Sequence, residues 1–143
     1  MRLTANDMEP VLGMMAQLYV EGHSPFDPAR ARHATEKLIT EPEFGGIWTI
    51  QMDGALAGYI VVVLGYSLEF GGRFGLLDEL FIDAALRGKG LGRAALDFAA
   101  QQCRERGWQA LRLEVEQDNQ PAIALYMRSG FAAHARFPMT SWI

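Results

Sequence analysis

Apolar residues recur along this chain with two periods, one of about 3.6 and one of about 2, and the switches between them divide it into elements. After a short strand at Arg2 to Thr4, helical spacing holds from about Asp7 to Val20, and Asn6 with Glu9 three residues later has the form of a capping box. A second helix is expected from about Pro28 to Thr40, with Asp27 as N-cap, Pro28 at the first helical position and Pro42 blocking continuation. Glu21 to Phe26 is the loop between them.

The period then falls to that of strands. Ile47 to Met52 and Leu56 to Tyr66 flank Asp53-Gly54, the dipeptide preferred in tight hairpin turns. Glu69 to Arg73, with Gly71-Gly72, leads into a strand from about Phe74 to Ile82. Helical spacing returns with Leu91, Ala95, Phe98, Ala99 and Gln102, so a helix is expected from about Gly90 to Arg106, stopped by Gly107. Leu111, Leu113 and Val115 alternate with Arg112, Glu114 and Glu116, the pattern of a half-buried strand. A shorter helix, about Gln120 to Ser129, has Asn119 as N-cap, Pro121 in its first turn and Gly130 at its end. Two terminal strands follow, near Phe131 to Phe137 and Met139 to Trp142. The order is β-α-α-β-β-β-α-β-α-β-β, an α/β chain whose sheet is mixed, with a parallel strand-helix-strand crossover at its centre.

Length adds that one domain over residues 1–143 suffices, since no linker, repeat or low-complexity tract divides the chain. With 50% hydrophobic and 21% charged residues it is a folding, globular composition. The net charge of −4 argues against a nucleic-acid binder and favours a neutral or cationic substrate. The longest apolar run, Ala55 to Leu64, is interrupted by Gly58 and Tyr59 and is too short to cross a bilayer. A single cysteine, Cys103, cannot form an internal disulfide and lies in an apolar helical stretch as a core residue. Met1 to Asp7 lacks the basic and apolar regions of a secretion signal, so the expected compartment is the cytoplasm. His23, His33 and His134 show no ligand spacing, and no metal is expected.

The chemistry-bearing run is Arg87-Gly88-Lys89-Gly90-Leu91-Gly92, between a strand and a helix start. Backbone N–H groups there converge on a point where the helix dipole favours an anion, and glycines permit close approach. Lys89, Arg87 and Arg93 add mobile positive charge to an acidic protein, so a polyphosphorylated ligand is expected. The spelling is neither the dinucleotide-binding fingerprint nor a P-loop.

The stretch LLDELFIDAALRGKGLGRAAL, Leu76 to Leu96, resembles the central motif of the GCN5-related N-acetyltransferase (GNAT) superfamily, with Arg87, Gly90 and Gly92 at its R/Q-x-x-G-x-G/A positions. LEVEQDNQPAIALYMRSGF, Leu113 to Phe131, is similar to that family's second signature, and the element order follows the family across nearly the whole chain. The resemblance implies acetyl-CoA as co-substrate and direct attack by an amine in a ternary complex. It implies that the backbone of Leu80, Phe81 and Ile82 bonds the pantetheine and that Gly88, Lys89, Gly90, Leu91, Gly92 and Arg93 cradle the pyrophosphate. Asn119 corresponds to the position that contacts the pantetheine arm, beside its plain role as N-cap. Tyr126, two helical turns further on, corresponds to the general acid that protonates the departing thiolate.

A free primary amine is almost wholly protonated at neutral pH, so acylation also needs a proton acceptor. Asp78 and Glu79 precede the cofactor strand end and resemble the acidic pair of the spermidine/spermine N-acetyltransferase branch. Alternation puts Asp78 with Leu80 and Ile82 and Glu79 with Phe81, which leaves open which one faces the cleft. Glu69 is expected to add negative charge at the substrate mouth, and substrate contacts are expected from Tyr19 to Phe26, the hairpin near Glu69 and the terminal strands. A small cationic molecule is the expected acceptor. The competing reading is a non-catalytic acyl-CoA-binding sensor or assembly module, against which Tyr126 and the acidic pair count. The apolar run Phe137 to Ile143 adds the expectation of a homodimer through the last strands.

Overall fold

The computed structural model describes residues 1–143. Helices α1 (Met8–Glu21) and α2 (Pro28–Thr40) precede a sheet of β1 (Gly45–Met52), β2 (Ala55–Ser67), β3 (Gly72–Ile82) and β4 (Leu111–Leu113). Helix α3 (Leu91–Glu105) joins β3 to β4, and α4 (Gln120–Arg128) follows β4. The sheet order is β1-β2-β3-β4, antiparallel except for the parallel pair β3 and β4, as the crossover pattern requires.

Each face of the sheet carries its own core. Val11, Leu12 and Met15 of α1 pack on Ile47, Tyr59, Val61 and Phe81, with Leu38 and Ile39 of α2 at the margin. Ala95, Leu96, Ala99 and Cys103 of α3 pack on Trp48, Ile60, Val62 and Leu77, with Leu125 and Tyr126 of α4 beside them. Helical period 3.6 and strand period 2 are both needed for this: each helix buries one stripe, and each strand feeds alternate residues to the two cores. Cys103 is buried, as its setting in the sequence suggested.

Local signals are realised where the chain alone decides them. The Asp27 side chain accepts from Arg30 N at 3.0 Å, and Asp53 (φ 52°) with Gly54 (φ 79°) forms the left-handed hairpin turn between β1 and β2. The capping box at Asn6 does not form. A single 3-10 turn, Ala5–Asp7, delays α1 to Met8, and Glu9 instead pairs with Arg32 of α2. The Arg2 to Thr4 strand is reduced to one bridge between Arg2 and Trp48, supported by Leu3 N donating to Ile47 O at 2.8 Å.

Both terminal strands are corrected: Phe131 to Ile143 contains no strand, and Phe137, Met139, Trp142 and Ile143 are exposed. A strand needs an edge to accept its hydrogen bonds. The outer strand on this side, β4, is three residues long, and Pro138, which has no N–H to donate, stands between the two apolar stretches. The expected dimer therefore has no final strands to pair through, while the apolar side chains that motivated it are exposed.

Candidate active site

β3 and β4 are paired only from Gly75↔Leu111 to Leu77↔Leu113. One residue further, the β2–β3 ladder slips: Val62 faces Leu77 but Val61 faces Glu79, which leaves Asp78 as the extra residue of a β-bulge. The bulge reverses the alternation. Leu77 belongs to the α3-side core, whereas Glu79 hydrogen-bonds on the α1 side, and Phe81 follows it there while Leu80 returns to the α3 side. Val115 is therefore not part of a strand, in contrast to the pattern at Leu111, Leu113 and Val115. From Asp78 to Ile82 the edge of β3 turned away from β2 has no strand partner, so a fork opens along Leu80, Phe81 and Ile82.

At the fork stands a carboxylate with two phenols on it. Tyr59 Oη donates to Glu79 Oε2 at 2.8 Å, and Tyr19 Oη donates to Oε1 at 3.0 Å. Tyr59 is fully buried and stacks on Phe81, ring centroids 6.1 Å apart. Tyr19 sits near the end of α1 and packs edge-on against Phe26 at 5.3 Å. Burial raises the Glu79 pKa, the two phenol hydrogen bonds pull it down, and nearby Asp78 raises it again; the net direction is up. No ion pair of the protein involves Glu79 or Asp78. Asp78 keeps solvent-accessible surface, yet crowding by neighbouring atoms, and then Glu114, raise its pKa too. The same field pushes the Tyr19 phenol up to about 12, chiefly by burial and then by Glu79, so it is a neutral donor at ordinary pH.

Beyond β3, a 3-10 turn (Ala84–Leu86) leads to the glycine run. No backbone N–H from Arg87 to Arg93 has an acceptor within the protein. Gly88 (φ 77°) and Gly90 (φ 83°) are left-handed, and a Cβ on either would point into open space. Gly92 does another job: a Cβ there would stand 3.0 Å from Leu125 Cδ2, so glycine also brings α3 close to α4.

The expected mobile charge is reduced to Lys89, which has no ion pair. Arg87 Nη2 donates to both oxygens of Glu21 at 2.8 and 2.9 Å while its Nε donates to Ile82 O at 2.9 Å. Arg93 pairs with Asp97 at 3.2 Å and donates to Arg128 O at 3.0 Å. Acidic side chains within reach hold both arginines; exposed pairs of this kind contribute about 0–1 kcal/mol, so an arriving polyanion can exchange them.

Tyr126 reaches the fork from the α3 side, in the cluster that holds Leu80 and Leu113, its ring edge-on to Phe131 at 5.9 Å. Its hydroxyl has no protein partner and is not sealed from solvent, and burial raises its pKa, which keeps it protonated. Asn119 Oδ1 accepts from Ala122 N at 3.3 Å, the N-cap role, which leaves its amide N–H groups free.

Glu69 is not brought to this group. It lies on the turn before β3, forked to Arg136 at 2.9 and 3.0 Å, and the seven residues from Gly72 to Glu79 span about 23 Å of strand. Tyr59 and the hydrogen-bonding role of Tyr19 are what the sequence reading missed. A signal existed for Tyr59, the one polar tip in the β2 apolar run; Tyr19 joins Glu79 across 60 residues, which no local pattern shows.

A two-core α/β/α layer whose parallel strands part beside a row of N–H donors without protein acceptors is the fold of the N-acetyltransferases. The profile of the Acetyltransferase (GNAT) family matches residues 12–131, and this chain belongs to that family. It is 40% identical over 80 residues to streptothricin acetyltransferase of Streptomyces lavendulae, covering 56% of this chain and 40% of that protein. It is 29% identical over 139 residues to mycothiol acetyltransferase of Thermomonospora curvata, covering 93% and 45%. The chain thus spans less than half the length of these two relatives. An integron cassette protein from the mobile metagenome of Cole Harbour Salt Marsh superposes with a TM-score of 0.87 at 32% identity, over 99% of this chain and 88% of that one.

Proposed function

We propose that the chain transfers an acetyl group from acetyl-CoA to a primary amine on a small cationic molecule, by direct attack within a ternary complex. The observation that carries this reading is the fork after Leu77 and Leu113, with a row of N–H groups that have no protein acceptor at one end and a half-buried, cation-free carboxylate on its α1 side. The cofactor fits these residues: the free N–H groups of Arg87 to Arg93, the open space at Gly88 and Gly90, and Lys89 suit a pyrophosphate, and the unpartnered edge of Leu80, Phe81 and Ile82 suits an amide-bearing arm. When bound, acetyl-CoA supplies the activated acyl carbon.

Glu79 is the base in this reading. A carboxylate whose proton affinity is raised by burial is matched to receive the proton of an ammonium, directly or through water. Asp78 adds negative charge beside it, and together they select a cation. Tyr126 Oη, protonated and without a protein partner, gives its proton to the departing sulfur. Single buried Cys103 and the lack of any helix long and apolar enough to cross a membrane agree with a cytoplasmic setting in this reading. Exposed Phe137, Met139, Trp142 and Ile143 agree with a homodimer, which light scattering at micromolar concentration tests.

Thiol release from acetyl-CoA with spermidine, an aminoglycoside, free lysine and a lysyl peptide tests the activity. Release with one of these is expected. CoA binding without release from any amine would turn the reading into a non-catalytic acyl-CoA-binding module.

A further inference from the structure

Glu79 has two oxygens and two unlike donors, and the difference between them has chemical meaning. Tyr59 rises from the middle of β2, fully buried and stacked on Phe81, so the Oε2 bond belongs to the core. Tyr19 comes from the last turn of α1, half-buried, with its ring braced by Phe26 of the following loop. The same turn ends in Glu21, whose two oxygens accept from Arg87 Nη2 while Arg87 Nε donates to the carbonyl of Ile82. The end of α1 therefore meets β3 at two points, and the Tyr19 hydroxyl is placed over Glu79 by its own hydrogen bond and by Phe26, which remain when Arg87 exchanges Glu21 for a polyanion.

We propose that Tyr19 is a positioning residue for acyl transfer: by holding Oε1 while Tyr59 holds Oε2, it fixes the plane of the Glu79 carboxylate and directs its remaining lone pairs toward the acceptor amine. This rests on Glu79 being the base. An isolated buried carboxylate rotates about its last bond and gains a proton to escape desolvation. Two neutral phenols restrain the rotation and oppose the proton gain in part, because each donates to the ionised form without neutralising it, as a lysine or arginine at the same place would. The groups that face Glu79 are Tyr19 of α1, Tyr59 of β2 and its own neighbour Asp78; no cation is among them. Asp78 opposes ionisation of Glu79, and the phenols favour it.

The test is Tyr19→Phe, which keeps the ring against Phe26 and deletes only the donor. Wild type, Y19F and E79Q are labelled with 13C-glutamate at the carboxyl and titrated by NMR, E79Q identifying the signal. The same three proteins and the Y19F/E79Q double variant are assayed across pH by thiol release, with whichever of spermidine, an aminoglycoside or a lysyl peptide is turned over fastest. Loss of one hydrogen bond to a carboxylate should move both the Glu79 titration and the acid limb of kcat/KM upward by about one pH unit, a roughly tenfold loss below the limb. In the E79Q background, Y19F should cause no further loss. A Glu79 titration and an acid limb unmoved in Y19F, with E79Q impaired, overturn the proposal alone. E79Q with wild-type turnover overturns the base role of Glu79 and the proposal with it.

Discussion

Tyr126→Phe removes one oxygen from a ring that otherwise stays where it is, and the surroundings say what that oxygen can be for. The hydroxyl makes no hydrogen bond within the protein, so its removal strands no partner, and stability should change by less than about 0.5 kcal/mol. The ring is another matter. It is half-buried against Phe131 among Leu80, Leu113 and Leu125, and removing about 100 Å² of apolar surface from that contact in Tyr126→Ala should cost about 2.5 kcal/mol at about 25 cal/mol per Å², or about 10 °C in Tm. A positioned general acid contributes about 10² to 10⁴ in rate, and because a thiolate leaves readily the low end is expected. Turnover of the Phe variant should therefore fall about 100-fold, equivalent to about 2.7 kcal/mol of barrier, with the dissociation constant of CoA within about twofold of wild type. Thiol-release kinetics, CoA titration calorimetry and thermal melts on Phe and Ala variants measure all three. A Phe variant with turnover within about twofold of wild type, beside an Ala variant that is merely less stable, would reduce Tyr126 to a packing residue.

Saturation with CoA at about 100 times its dissociation constant should stabilise the native state by about 2.7 kcal/mol; no rise in Tm at millimolar CoA would refute the cradle at Arg87 to Arg93. Gly90→Val forces a β-branched residue to φ 83° and so displaces the N–H groups beside it, and CoA affinity should drop at least tenfold, while Gly92→Val, whose branched side chain meets Leu125, should also lower Tm; calorimetry and melts separate the two. The Glu79 pKa is raised in the folded state, so the stability that its protonated form allows is present below the ordinary carboxylate value and is lost as pH rises through the folded value. Glu79→Gln should accordingly melt near wild type in mild acid and gain on it toward neutral pH, and a Tm difference that does not vary with pH would contradict the burial effect.

The elements that depend on neighbouring residues were legible from the chain alone. Asp27 before Pro28, Asp53-Gly54, Asn119 before Pro121, and the glycines after Arg87 each act within a few residues, where backbone sterics and one short hydrogen bond decide the outcome. The two faces of the sheet were likewise written in the alternation of β2, and the left-handed turn before α3 in Gly88 and Gly90. What the pattern could not convey is where alternation fails. It set Asp78 and Glu79 on opposite faces but gave no account of the bulge at Asp78, because a bulge is a mismatch between two strands and only their register reveals it. The terminal strands failed for a related reason: Phe131 to Trp142 has strand-forming residues, but β4 ends at Leu113 and offers no edge long enough to pair with them. The Glu79 cluster depends wholly on tertiary structure. Its donors lie 60 and 20 residues away in sequence, and they meet because the α1 stripe packs on the same sheet face to which the bulge turned the carboxylate.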